Sequence, residues 1–123
     1  MWLNAAERLK YGIGGRMGDA LSSLEAQYLL LTQHLADILA ACKTEDQRNQ
    51  VRSDYVTSRR NYWDAINKIF HDDDPKIAKA VADMKDAQTS LEKLTKNLAN
   101  IAKVITAITS AVKIGGELAK MAG

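Results

Sequence analysis

The chain has 123 residues, 46% of them hydrophobic and 6% aromatic, with 17 basic and 15 acidic side chains and a single proline. That is one domain's worth of core, with too few β-branched and aromatic alternations for a sheet, so an all-α fold is expected. A net charge of +2 is too small for a general nucleic-acid binder, and the lone Cys42 excludes an internal disulfide framework.

At the N-terminus, Asn4, Glu7, Arg8 and Lys10 interrupt what would otherwise be the apolar core of a signal peptide. No window is long and apolar enough for a conventional transmembrane helix. A cytoplasmic location is therefore the default, and export without a signal would leave no trace in the sequence. Residues 1–18 are expected to form a short amphipathic segment, with Trp2, Leu3, Ala6 and Leu9 on one side, followed by a glycine-rich joint. Gly12 and Gly14 begin a G-x-G-x-x-G pattern, but Met17 stands where the third glycine belongs and no strand precedes it, so a phosphate loop is not expected.

Asp19 is the predicted N-cap of a first helix over 19–42. Leu21, Tyr28, Leu35 and Cys42 recur every seven residues, and Leu24, Leu31 and Ile38 fall three later in each repeat. Leu29, Leu30 and Leu39 lie off that seam, which makes this apolar face wider than one neighbour needs, and the helix is expected to be the most buried. Cys42 falls on the stripe and is expected to be a buried, unreactive thiol. Thr44 and Gln47 then form a capping box that opens a second helix over 45–71, antiparallel to the first because the link is so short. Its expected inward set is Val51, Tyr55, Tyr62, Ile66 and Ile69, with Trp63 and Phe70 flanking. Arg48, Arg52, Arg59 and Arg60 stand among these aromatics, and Asp64 with Lys68 has the spacing of an i,i+4 pair.

His71 is placed to complement the second helix's C-terminus, and Asp74 before Pro75 is a helix start. The run from His71 to Asp74 resembles metal ligands in print, but successive residues at a helix end diverge and no second cluster completes a shell. No metal site and no cofactor are expected. No catalytic residues are expected either, because His34 and Cys42 are about two turns apart on one helix and His71 belongs at the other end of the bundle. A slender bundle offers no pocket for a small-molecule substrate.

From Pro75 to Gly115 the heptad is nearly unbroken, with Ile77, Met84, Leu91, Leu98, Ile105 and Val112 in one column and Ala80, Ala87, Leu94, Ile101 and Ile108 in the other. This predicts one long helix over 75–115 in coiled-coil-like packing, as the third helix of an antiparallel helical bundle. At about 1.5 Å per residue it would outrun its two partners by more than a third of its length. The face formed by Leu98, Ile101, Val104, Ile105, Ile108 and Val112 would then be left for something else to cover. A second copy or a partner protein is the expected cover, giving a non-enzymatic association protein. The alternative is a membrane, because 93–123 is cationic and amphipathic. Arg52, Arg59, Arg60, Lys103 and Lys113 are the candidate contacts to anions or lipid, with nucleic acid an unlikely ligand. A break at Asn97 or Asn100 with the chain folding back is a further option, which the in-phase heptad speaks against.

Overall fold

A computed structural model describes residues 18–121, and these form four helices: α1 Gly18–Ala41, α2 Glu45–Ala65, α3 Pro75–Leu94 and α4 Ile101–Ala119. The all-α bundle is as expected, but the described residues form four helices and not three main ones. The expected amphipathic segment and glycine joint lie outside the described residues, apart from Gly18, and so does any cap before α1; Asp19 sits in the first turn of α1.

The long third helix is two helices. α3 ends at Leu94, and the chain turns over 95–100 and returns as α4. The polar residues of the turn make the break. The Thr95 hydroxyl bonds back to the Leu91 carbonyl at 2.8 Å, Asn97 Oδ1 accepts from the amide of Ala99, and Asn100 caps α4 by accepting from the amide of Lys103. Side chains that satisfy backbone groups locally offer the chain an alternative to continued helix. The in-phase heptad concealed this because both halves of it face one core.

α2 begins at the capping box as expected, with Gln47 N donating to Thr44 Oγ1 at 3.1 Å and Thr44 N donating to Gln47 Oε1. It stops at Ala65, six residues before the expected end. Lys68 N closes a tight turn on the Ala65 carbonyl, so Ile69, expected inside, is 67% exposed. His71 therefore stands beyond the helix, where its carbonyl accepts from Asp74 N. The Asp64–Lys68 pair is not formed, since Lys68 has left the helix. At the α3 boundary Asp74 caps as expected, accepting from Lys76 N at 2.8 Å.

α4 packs along α2 and α3 and reaches across to α1, whereas α2 and α3 lie at opposite corners of the bundle. Asp54 meets Thr109 and Asn61 meets Val112, so α2 and α4 run parallel. Gln27 meets Ala111 and Leu24 lies by Gly115, so α1 and α4 run antiparallel. The turn after α2 closes against the start of α1. Gly18 has φ +72°, and a Cβ there would lie 2.5 Å from Asp72 Oδ2, so glycine suits this position on both counts.

The core has two clusters. One, around Leu31, Ile38, Leu91, Ile101, Val104 and Ile108, fills the end near the α1–α2 turn. The other, around Leu24, Ala65, Ile77, Met84 and Leu118, fills the opposite end. Between them lies a polar layer formed by Gln27, Asn61 and the Ala111 and Val112 carbonyls to which they donate, with Gly115 close against both side chains.

Candidate functional site

The seam residues are in the core. Ile101, Val104, Ile105, Ile108 and Val112 are buried and Leu98 is half-buried, all within the first cluster. What covers this face is the chain's own α1, α2 and α3.

Three polar bonds fix α4 in that position. Gln27 Nε2 donates to the Ala111 carbonyl at 2.8 Å, and Asn61 Nδ2 donates to the Val112 carbonyl at 3.3 Å. Thr109 Oγ1 donates to Asp54 Oδ2 at 2.6 Å. Asp54 is 5% exposed. Gln50 supplies its second donor, and burial pushes the Asp54 carboxyl above its usual range, against the lowering effect of those two hydrogen bonds. The sequence signal for this polar seam was the recurrence of Val51, Ser58 and Ala65, and of Asp54 and Asn61, every seven residues. Selecting inward residues by hydrophobicity passes over it.

The five candidate cations are all exposed, but the fold does not gather them. Arg60 and Lys113 line an open groove of about 420 Å³ between α2 and α4, which they share with Asp64, Lys68, Glu117 and Lys120. Lys103 stands in the first turn of α4. Arg52 bonds Glu45 at 3.1 Å and Asn49 at 3.2 Å. Glu45, held below its ordinary pKa by Arg48 first and then Arg52, serves both arginines. The Arg59 guanidinium lies over the Tyr55 ring, 5.9 Å from its centroid.

Arg59 marks the edge of an aromatic cluster that joins two helices. Tyr28 of α1 stands 5.8 Å from Tyr55 and 5.9 Å from Tyr62, and Tyr62 stands 6.1 Å from Trp63. A hydrogen bond with Tyr55, then burial, raises the Tyr28 phenol above its usual pKa. Bonds with Thr32 and then Tyr28 lower that of Tyr55. Tyr62 is tied inward by donating to the buried Glu25 Oε2 at 2.6 Å. Trp63, by contrast, is 55% exposed. Sequence reasoning placed the aromatics of α2 beside its arginines but missed the contribution of α1, Tyr28 and Leu29.

Cys42 is buried, donates to the Ile38 carbonyl and has its thiol pKa raised, by burial above all. Among the described residues, no three His, Cys, Asp or Glu side chains stand together as metal ligands. Among the same residues, no helix is long and apolar enough to cross a membrane. No family model matches the chain, and comparison with curated proteins and with solved structures finds no match.

Proposed function

We propose that the protein is non-enzymatic and acts by association with another protein chain, either a second copy or a different partner. The observation that carries this reading is the exposed Trp63, set in a four-ring aromatic cluster with Arg59 beside it. Trp, Tyr and Arg are the side chains that most often carry the energy of a protein interface. Binding through the seam from Leu98 to Val112 requires α4 to leave the bundle, whereas Trp63 and Arg59 are exposed with the bundle intact. To test the reading, the tagged chain is expressed in its own host and extracts are run on a sizing column. Co-elution with a stoichiometric second chain, or as an oligomer, is expected. Elution at the 13.6 kDa of one chain, with the same mass by light scattering at high concentration, would end it.

A second reading, membrane activity of residues 93–123, is favoured by one feature: α4 and its C-cap expose Lys103, Lys113 and Lys120 against Glu117 alone. It predicts dye leakage from anionic liposomes that disappears when 101–123 is deleted. Absence of leakage at micromolar protein counts against it.

A further inference from the structure

We propose that the outer face of α1 and α2 is a docking surface for a partner helix carrying apolar anchors flanked by carboxylates, a proposal that rests on the association reading above.

The first support is the character of α1. Beyond its first turn α1 exposes one charged residue, Asp37, whereas α3 beyond its first turn exposes five. Helix surfaces that face water are ordinarily charged, so the outer strip of α1, which includes Leu29, Gln33 and Ala36, is unusual for a solvated face.

A second line of support is that three of the five large apolar side chains exposed among the described residues fall on this face. Leu29 is 45%, Val56 38% and Trp63 55% exposed, while Ile69 and Met121 lie beyond the ends of α2 and α4. They are next in sequence to Tyr28, Tyr55 and Tyr62, where the Tyr28 ring of α1 contacts both tyrosines of α2. The three exposed side chains thus each stand one residue from a tyrosine of that set, on the face that α1 and α2 turn outward. Apolar side chains presented by an antiparallel helix pair suit the packing of an amphipathic partner helix.

Charge then selects the partner's chemistry. Arg52, Val56, Arg59 and Trp63 recur at helical spacing and share one strip of α2. Asp64 lines the groove with α4 instead. Asp46 precedes it by eighteen residues, five turns at about 3.6 residues per turn, and so belongs to that same opposite flank. The edge toward α1 therefore holds Arg48, Arg52 and Arg59 against Glu45, and Glu45 is already shared by Arg48 and Arg52. Among the described residues Arg59 has no carboxylate partner, and it is oriented by the ring beneath it. An oriented guanidinium is matched to a carboxylate, geometrically as well as in charge. A fluid lipid surface does not need that orientation.

The test is an unbiased selection of displayed helical peptides against the full chain. Selected peptides are expected to combine apolar residues at helical spacing with an excess of Asp and Glu, and to shift backbone amide signals at 28–29 and 55–63. Trp63→Ala and Arg59→Glu, both at exposed positions, should each weaken binding about tenfold or more while leaving the circular dichroism and Tm unchanged. The proposal is overturned if the selected peptides are basic or neutral, or if the two variants bind them as well as the parent does. It is equally overturned if no peptide is selected, if the variants instead abolish self-association of the chain, or if they abolish its sedimentation with phosphatidylglycerol vesicles. The extract experiment decides the association reading separately: a partner found there, with no acidic preference here, leaves association standing through another surface.

Discussion

At the scale of single residues, the two adjacent glycines of α4 have opposite roles. A Cβ at Gly115 would lie 2.8 Å from Gln27 Oε1, 3.4 Å from Asn61 Nδ2 and 3.5 Å from Leu24 Cδ2. The closest of these belongs to a side chain already held by its bond to Ala111. At Gly116 the same atom would meet Asn61 at an ordinary 3.7 Å. Glycine inside a helix is about 1 kcal/mol worse than alanine where nothing else intervenes. Gly116→Ala should therefore stabilise the protein by about 0.5–1 kcal/mol, and Gly115→Ala should destabilise it by about 1–3 kcal/mol. Urea unfolding of the two variants checks both, and equal effects would refute the packing argument. Asp54 supplies a pH test. Its pKa is raised by folding, so its contribution is fully present below the unfolded carboxyl value near about 4 and is lost as pH rises through the folded value. Asp54→Asn should then match or exceed the parent's Tm at pH 7, with that advantage shrinking as pH falls toward about 4. A variant less stable at pH 7, by a margin that closes in acid, would mean the ionised carboxylate is net favourable.

At the scale of the element, legibility depended on whether a signal was local. The Thr44–Gln47 box and the Asp74–Pro75 start could be placed because capping needs only a few neighbouring residues. The end of α2 was misplaced because Ile66, Ile69 and Phe70 continue an apolar rhythm that the chain leaves at Ala65. The break over 95–100 was signalled only by Thr95, Asn97 and Asn100, each a weak helix former whose side chain closes a local bond. Periodicity could not reveal it, since two helices lining one core can hold a single phase through the turn between them. If tertiary burial sets the turn and the asparagines only trim it, Asn97→Ala with Asn100→Ala should cost about 1–2 kcal/mol, chiefly from the lost N-cap. The chain should remain folded with its mass unchanged. A straightened helix would instead bare the seam, and light scattering would detect the resulting oligomer. Of the candidate contacts, the charge and aromatics of α2 were legible as a cluster. The share of α1 was not, because joining Tyr28 to Tyr55 and Tyr62 requires the relative level of two helices, which one helix's spacing does not contain.

At the scale of the whole molecule, α4 connects the two core clusters, since Ile101, Val104 and Ile108 belong to one and Leu118 and Ala119 to the other. Burying Ile101, Val104, Ile105, Ile108, Val112 and Leu118 contributes about 1.5–3 kcal/mol for each side chain as an upper estimate. Summed over six, that is comparable with the roughly 5–15 kcal/mol total stability of a typical domain. A three-helix remnant would also leave the apolar side of α3 and the buried Asp54 of α2 facing water along their length. A helix projecting from a self-sufficient bundle could be cut away harmlessly, and the remaining residues would stay helical. In the four-helix fold the same cut removes a wall from both clusters. A chain ending at Asn100 should therefore lose cooperative thermal unfolding and most of its ellipticity at 222 nm. Ile108→Asp, at a position 1% exposed, should do the same in the full chain by placing a charge where no cation answers it. Cooperative unfolding retained in both would show that α1, α2 and α3 form a folded unit on their own and that α4 is a removable cover.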